Sequence, residues 1–325
     1  MSTALDEAAF TDQFEQLRRP LHAHCYRLAG NVADADDLVQ DTFLRAWQSI
    51  ATFEGRASLR TWLYRIATNA YLDRRKAAAR RSIPAGDPFE WCTELGPYPD
   101  QLRDDPPSGL AASETVELAL IAALRYLPPR QRAAFVLRDV SGWTPAEIAG
   151  ALDVDVTAAN SLVQRARDTI RRKAPADVLA WRRPELTAED RAVLRRYAAA
   201  VDPADFRQLL ADDVRITMPP DPPVTGIDAA AEFLGRPLDW RTFPTAANGR
   251  PALVGYLRSA GQDHYEAMVV DVLRVEHGRI VESNAFVGAH HVAAFGMPAT
   301  LPGDELAPSV EPGELPAAKM PPSPL

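Results

Sequence analysis

Aromatic and arginine side chains are interleaved between residues 53 and 75, a mixture that suits binding to unpaired nucleic acid. Phe53, Tyr64 and Tyr71 offer rings on which bases can stack, and each stacked base contributes about 1–3 kcal/mol. The consecutive cations at residues 74–76 are expected to contact phosphates, which position a nucleic acid without reading its sequence. The composition of this segment is therefore compatible with a surface that binds nucleic acid.

A short helix, a tight turn and a second helix rich in arginine are predicted between residues 144 and 173. Thr144 and Glu147 have the spacing of a capping box, which favours a helix start at this point. Residues 153–155 break that helix, and the next begins near Thr157. This is the geometry of a helix-turn-helix, whose second helix fits the major groove of DNA. An ordinary helical hairpin with a solvated basic face is the alternative that this segment alone leaves open.

The helix predicted between residues 35 and 50 carries carboxylates on its polar face. Apolar residues recur there at helical spacing, while Asp36, Asp37 and Asp41 lie away from that stripe. These carboxylates would repel DNA and would suit a basic protein partner. Read alone, such carboxylates more often belong to a solvated helix face.

Composition limits the class of protein. The chain has 325 residues and a formal net charge of −8, and at about 100–200 residues per domain it predicts two or three domains. No apolar run approaches the roughly 18 residues of a membrane span, and the N-terminal residues lack the basic segment of a secretory signal. Cys25 and Cys92 are too few and too isolated for a disulfide framework or a zinc site. We expect a reduced, cytoplasmic protein with no metal site, no cofactor and no membrane partner.

Charges are segregated along the chain. Cations dominate between Arg56 and Arg81, whereas residues 82–118 are acidic and contain six prolines. This composition predicts an extended linker at residues 84–112. Arginines return between residues 165 and 172, at the end of the second predicted helix. Because the linker is acidic, it is not expected to bind DNA. The basic segments on its two sides are therefore expected to act as separate modules.

The C-terminal half has a different pattern. Thr187 and Asp190 predict a helix start, and two apolar strands at residues 265–275 and 280–287 are joined by a turn at His277-Gly278. A further strand is predicted from Val214 onward. The chain therefore reads as an all-α first half and an α+β second half.

Three motifs in the first half resemble, in the same order, regions of extracytoplasmic-function (ECF) sigma-70 family transcription initiation factors. Residues 34–47 resemble region 2.2, residues 53–75 resemble regions 2.3 and 2.4, and residues 127–167 resemble regions 4.1 and 4.2. The resemblance implies that region 2.2 docks on the β′ coiled coil of core RNA polymerase, and that the β subunit is also a partner. It further implies that regions 2.3 and 2.4 melt and read the −10 element of promoter DNA, and that region 4.2 reads the −35 element.

Carried onto this sequence, the resemblance assigns three sets of residues. Those for the −10 element are Arg60, Tyr64, Arg65, Asn69, Asp73, Arg74 and Arg75. Those for the −35 element are Ala158, Asn160, Ser161, Gln164, Arg165 and Arg167. Those for core polymerase are Asp36, Asp37, Gln40, Asp41 and Arg45. Many family members have a further basic residue at the position of Leu162. Not all of the family's −35 contacts are therefore assigned to this sequence.

The linker can join two such readers. Residues 84–112 span at most about 95 Å. Two promoter boxes about 17 base pairs apart are separated by about 58 Å. Tethering raises the effective concentration of the second reader once the first has bound, so two weak contacts act as one specific contact.

Residues 187–299 resemble the SnoaL-like, ketosteroid-isomerase-like α+β domain that some ECF factors carry at the C-terminus. The fold class is therefore multidomain, with two all-α sigma domains followed by an α+β domain. The predicted segments are a sigma domain 2 at 1–83, a linker at 84–112, a sigma domain 4 at 113–176, the SnoaL-like domain at 187–299 and a disordered tail at 300–325. The C-terminal domain is expected to modulate the sigma domains in cis, through an intramolecular contact or a small-molecule ligand. An anti-sigma partner and the oligomeric state are left open.

Two other functions compete with this interpretation. A helix-turn-helix regulator with a ligand domain would bind an operator without core polymerase, but it needs no reader of a melted strand. A cyclase-like enzyme would use the titratable residues of the C-terminal half, namely Asp202, Asp213, His264, Asp271, His290 and His291. No spacing among these residues singles out an acid–base pair, so no catalytic residue is predicted, and solvent exposure is the expectation for the last two.

Overall fold

A computed structural model describes residues 7–79 apart from 54 and 56, 95–102, 118–173, and 187–303 apart from 201, 219 and 220. The predicted linker on either side of residues 95–102 and the predicted tail beyond residue 303 lie outside these ranges. The chain divides into two compact units, Met1–Arg183 and Pro184–Leu325.

The described part of the first unit is helical. Its helices are α1 (Glu7–Ala29), α2 (Val32–Ser49), α3 (Leu59–Ala79), α4 (Leu118–Leu124), α5 (Pro129–Phe135), α6 (Pro145–Leu152) and α7 (Val156–Lys173). A π-helical turn, Val136–Val140, extends α5.

Helices α1, α2 and α3 form a bundle whose apolar stripes face one another. The Asn31 side chain accepts a hydrogen bond from the Asp34 amide at 2.8 Å and begins α2. Ser58 Oγ accepts a hydrogen bond from the Thr61 amide at 3.1 Å at the start of α3. Each capping hydrogen bond satisfies a donor that the first helical turn leaves without an intrahelical partner.

The helix-turn-helix forms as the sequence predicts. Thr144 Oγ1 accepts from the Glu147 amide, and the Glu147 carboxylate accepts from the Thr144 amide at 2.7 Å, so the capping box is complete. Asp153 ends α6 in the left-handed conformation with φ 52°. Asp155 then accepts from the Ala158 amide at 2.7 Å, so α7 begins slightly before Thr157.

Residues 95–102, which fall within the predicted linker, lie against α1. The Gly96 amide donates to the Gly30 carbonyl at 3.0 Å, and Tyr26 Oη donates to the Gly96 carbonyl at 2.8 Å. Tyr98 is fully buried, with its ring centroid 4.6 Å from that of Tyr26. Because this part of the segment is attached to the bundle, it adds no free length to a tether in this structure.

Arg132 joins the helices on the two sides of the linker. It is 5% exposed although it is charged, and its guanidinium donates to the Leu124 carbonyl at 2.9 Å and to the Leu28 carbonyl at 2.8 Å. A buried cation is tolerated only where such hydrogen bonds replace water. Arg132 is therefore a structural residue of its motif and not a nucleic-acid contact.

The second unit is an α+β domain. Its elements are α8 (Ala188–Ala199), α9 (Pro203–Arg207), β1 (Leu210–Thr217), β2 (Val224–Thr225), α10 (Ile227–Leu234), β3 (Asp239–Ala247), β4 (Arg250–Arg258), β5 (His264–Glu276), β6 (Arg279–Val287), α11 (Ala289–Ala293) and β7 (Thr300–Pro302). The sheet order is β2-β1-β6-β5-β4-β3, with β7 beside β5. Strand β1 runs parallel to β6, and the other pairs are antiparallel.

The start of α8 and the β5–β6 turn confirm two local predictions. Thr187 and Asp190 form the predicted capping box. His277 and Gly278 make a two-residue turn with φ 51° and 68°, the positive values that a tight hairpin of this twist requires. The Gly278 amide also donates to Asp190 Oδ1 at 3.3 Å. The core packs Tyr197, Phe206 and neighbouring aliphatic side chains from α8, α9 and α10 against the sheet.

Burial of His24 predicts a pH dependence of stability. His24 is fully buried, its Nε2 lies 3.0 Å from Thr68 Oγ1, and its ring stacks on Tyr64 with centroids 4.4 Å apart. Desolvation, followed by the charges of Arg27 and Arg60, lowers the pKa of His24 to about 3. The unfolded chain therefore binds a proton that the folded chain excludes. Stability from this group is present above about pH 6.5 and is lost as the pH falls toward the folded pKa.

We expect His24→Phe to lessen the loss of unfolding free energy between about pH 6.5 and pH 5, by up to about 1.4 kcal/mol per pH unit. Urea unfolding followed by tryptophan fluorescence at several pH values measures this slope. His264→Asn is the matched control, because His264 is partly exposed and its neighbour Asp263 raises its pKa. A slope in His24→Phe equal to that of the unsubstituted chain would contradict the assignment.

Candidate nucleic-acid interface

Helix α7 presents a polar stripe opposite the side chains that hold it in the unit. Ala159, Val163, Ala166 and Ile170 are buried at helical spacing. The exposed polar residues of the N-terminal half are Thr157, Asn160, Ser161, Gln164 and Arg165. Spacings of three and four residues place them on one face, from which amide and guanidinium groups can reach base edges.

Two predicted residues of α7 are placed differently. Ala158 is half-buried, so it offers at most an apolar contact. Arg167 is half-buried and forms a two-point ion pair with Asp139, in which Nε donates to Oδ2 at 2.9 Å. These hydrogen bonds raise the pKa of Arg167. The expectation that Arg167 reads DNA does not agree with this geometry, because its guanidinium already anchors α7 to the π-helical turn Val136–Val140.

Helix α3 exposes a second face. Arg65, Asn69, Asp73 and Lys76 are exposed and follow one another at spacings of four, four and three residues. Three of them were predicted for the −10 element, and Lys76 adds a cation at the end of the same face. The arrangement combines charge for phosphates with an amide and a carboxylate for base edges.

Tyr64 does not lie on this face. It is 3% exposed, its hydroxyl donates to the Pro20 carbonyl at 3.0 Å, and its ring stacks on His24. The Trp143 ring is nearly parallel to the Tyr64 ring, with an interplanar angle of 12° and ring centroids 6.5 Å apart. The prediction that Tyr64 contacts bases does not fit this structure, because both its ring and its hydroxyl are occupied within the protein.

Two further arginines of the predicted −10 set, Arg60 and Arg75, lie outside this face. Arg60 is exposed, with its guanidinium 5.3 Å from the centre of the Tyr64 ring and Nη2 donating to the Tyr64 hydroxyl at 3.3 Å. Arg75 is half-buried. Arg60 is therefore exposed on a side of α3 different from the face that carries Arg65 and Asn69.

Helix α2 exposes a narrow stripe that includes an apolar residue. Asp37, Gln40, Leu44 and Gln48 are exposed at spacings of three and four residues. Leu44 is 51% exposed. Asp36 is also exposed, and its carboxylate lies 3.1 Å from Nε2 of the buried His22. Leu44 is not among the residues predicted for core polymerase, although its position beside Gln40 and Asp41 on the polar face of α2 is visible in the sequence.

The predicted core-binding acids and the predicted DNA-binding residues are connected by ion pairs. Arg74 Nη1 lies 3.2 Å from Asp37 Oδ2, and Arg45 Nη1 lies 2.8 Å from Asp73 Oδ2. Arg45 Nε also donates to Asp41 at 3.1 Å. Hydrogen bonding to Asp73 is the chief cause that raises the pKa of Arg45. These pairs join residues distant in sequence, so no local pattern indicated them.

In the second unit, one carboxylate is held in a polar cluster. Asp271 Oδ1 accepts from Ser283 Oγ at 2.7 Å, and Oδ2 accepts from the Tyr197 hydroxyl at 3.1 Å. Desolvation raises the pKa of Asp271, while these two hydrogen bonds act in the opposite direction. Desolvation also raises the pKa of Tyr197 well above its usual value. The cluster satisfies its own hydrogen bonds, as a structural polar network must.

Apart from His290 and His291, whose ring centroids lie 4.0 Å apart, the other titratable candidates are not brought together. Asp202 caps α9, and Asp213 is exposed on β1. His264 is partly exposed beside Asp263, and His290 is exposed. The expectation of solvent exposure is wrong for His291, which is 9% exposed and whose pKa is lowered to about 4 by burial.

Within the described ranges, no helix is both long enough and apolar enough to cross a membrane. The same residues contain no group of three or more histidine, cysteine, aspartate or glutamate side chains placed to hold a metal ion.

Comparisons with protein families agree with this arrangement of elements. The profile for Sigma-70 region 2 matches residues 13–81, that for Sigma-70 region 4 matches residues 117–170, and that for the SnoaL-like domain matches residues 191–283. The order of the three matches confirms the resemblance drawn from the motifs, and the fold class with it.

Individual relatives extend the similarity over most of the chain. ECF RNA polymerase sigma factor SigG of Mycobacterium tuberculosis is 37% identical over 316 residues, which cover 90% of this chain and 85% of that protein. The sigma factor SigJ of the same species is 39% identical over 160 residues, about half of each chain (49%). The crystal structure of SigJ superposes with a TM-score of 0.57 at 24% identity, covering 87% of this chain and 98% of that one, and shows a shared fold. With matching regions 2 and 4 and a relative of this coverage, the chain belongs to the ECF RNA polymerase sigma factors.

Proposed function

We propose that this sigma factor directs core RNA polymerase to promoters by reading the −35 element with the exposed face of α7 and the −10 element with that of α3. The observation that carries the proposal is the polar stripe of α7, which stands opposite a buried apolar stripe. A second reader on α3 and an acidic stripe on α2 supply the other two contacts that a promoter-specificity subunit needs.

The side chains of the α7 stripe have the donors and acceptors for direct readout. Gln164 can bond to adenine and Arg165 to guanine in a two-point manner, and each such pair contributes about 1–3 kcal/mol of discrimination. Asn160 and Ser161 lie one turn closer to the N-terminus of the helix, which is the end that contacts bases in helix-turn-helix proteins. Arg171 and Arg172, at the other end of the same helix, are exposed and suit phosphate.

We expect Gln164→Ala to change the preferred −35 sequence, with a loss of about 5- to 150-fold on the best site and less on other sites. Arg172→Ala is the control on the same helix, and it should weaken all sequences by similar factors. In vitro transcription with purified core enzyme on a promoter library, at one stated salt concentration, measures both.

Equal effects of the two substitutions across the library would contradict the division between reading and positioning residues. Tight duplex binding by the full chain without core polymerase would instead favour the helix-turn-helix regulator.

For core polymerase, we propose that the α2 stripe is the docking surface. The carboxylates at residues 36, 37 and 41 suit a basic partner, and Leu44 gives the stripe an apolar centre. An exposed leucine among polar residues is a natural anchor, because its burial on binding contributes about 1.5–3 kcal/mol.

Leu44→Ser should weaken the affinity for core polymerase by about 10-fold or more, which corresponds to losing that burial. Leu238→Ser is a matched control, since Leu238 and Leu44 are both 51% exposed and Leu238 lies in the second unit. Titration of labelled protein with core enzyme measures the dissociation constants. Equal affinities for the two variants would remove Leu44 from the docking surface.

We assign the second unit a regulatory role in cis and no catalytic role. None of the candidate carboxylates pairs with a candidate histidine, the His290 and His291 rings contact only each other among the candidates, and Asp271 is engaged by Tyr197 and Ser283. A small-molecule ligand of this unit is part of the proposal as a source of regulation.

If the second unit modulates the first, a chain ending at residue 186 should differ from the full chain in promoter output. Coupling between sites is typically about 1–3 kcal/mol, so we expect a change of about 5-fold or more. Run-off transcription at equal concentrations measures it, with thermal unfolding of the shortened chain as the control for folding. Unaltered output would contradict regulation in cis, and substrate turnover by the second unit would favour an enzyme.

A further inference from the structure

Arg74 and the acids of α2 are bound to one another. Arg74 Nη1 lies 3.2 Å from Asp37 Oδ2, and Nη2 donates to the Asp37 carbonyl at 3.2 Å. Nε of the same guanidinium lies 3.9 Å from Asp41 Oδ2. A side chain assigned to DNA phosphate is therefore held by two side chains assigned to core polymerase.

The network continues to the reading face of α3. Asp41 also accepts from Arg45, and Arg45 reaches Asp73 at 2.8 Å. Charges thus alternate from Asp37 through Arg74, Asp41 and Arg45 to Asp73, across the contact between α2 and α3. The Arg74, Arg45 and Asp41 side chains are 39%, 39% and 28% exposed, so both kinds of partner can reach the network.

We propose that this network is a latch that couples core binding to DNA binding, so that a basic surface of core polymerase takes the α2 carboxylates and releases Arg74 for phosphate. The inference rests on the proposed function and adds the residues that link its two surfaces. A carboxylate bonded to Arg74 is less available to an outside cation, and Arg74 bonded to a carboxylate is less available to phosphate. Either partner therefore makes the other bind more tightly, by the same factor.

The magnitude follows from the exposure of the pairs. Ion pairs accessible to water have small net energies, because solvent and salt screen them and both side chains lose freedom. Releasing one such pair corresponds to about a 2- to 5-fold change in a binding constant. Pairing of Arg74 with this energy does not block DNA binding by the free protein. It makes the protein bind DNA more tightly when core enzyme is also bound.

The DNA arm of the test uses the full chain without core enzyme and a fluorescein-labelled mixed-sequence single strand. Asp37→Asn should tighten binding about 2- to 5-fold more than Asp36→Asn. The control makes the same charge change one residue away at similar exposure, 69% against 63%, at a carboxylate that faces His22 and not Arg74. With Arg74→Ala added to both variants, the difference between them should vanish.

A second experiment measures binding to core polymerase, on which loss of the Arg74 charge should have the opposite effect to its effect on DNA binding. Arg74→Ala should tighten binding to core polymerase by about 2- to 5-fold, because it frees Asp37 and Asp41. Lys76→Ala removes the same charge from the exposed face of α3 and should produce a smaller gain. Arg74→Ala would then weaken DNA binding while it strengthens core binding, a pair of effects that simple loss of structure does not produce.

Equal effects of Asp37→Asn and Asp36→Asn, or a difference that persists with Arg74→Ala, would overturn the latch. Equal core affinities for Arg74→Ala and Lys76→Ala would do the same. Failure of the unsubstituted chain to bind core enzyme or to direct a start would instead overturn the proposed function. The two failures are therefore distinguishable within one set of measurements.

Discussion

Burial of one apolar stripe on each functional helix is the constraint that determines which side chains a partner can reach. In α7, the packing of Ala159, Val163, Ala166 and Ile170 turns the opposite face outward. The same rule applies to α2 and α3, which bury apolar residues within one bundle and expose polar stripes. Since a helix is rigid and has a fixed period, the buried face determines the exposed face.

Charge has a local role that the net value conceals. The formal net charge of −8 would oppose DNA, yet α3 and α7 carry exposed cations and α2 carries exposed carboxylates. Close packing of α2 against α3 brings these opposite charges together, so the two interaction surfaces become parts of one electrostatic network. In the latch that we propose, binding at one surface changes binding at the other without any change of fold.

Buried polar groups connect the helices that carry these surfaces in the first unit. Arg132 donates to carbonyls at the ends of two helices, and His24 stays neutral beside Thr68. In the second unit, Asp271 is engaged by Tyr197 and Ser283. Groups of this kind fix the arrangement of elements, because a buried donor or acceptor without its partner costs about 1–3 kcal/mol.

The sequence by itself determined the features that depend on neighbours along the chain. Capping boxes at Thr144 and Thr187, the turn at His277-Gly278 and the polar stripe of α7 follow from local hydrogen bonds and helical period, and the structure has them all. Tertiary structure decided which candidate residues are accessible: Tyr64 became buried and Arg167 and Arg74 became paired. Their partners lie on other elements, so the burial and ion pairing of these residues follow only from the packing of distant segments.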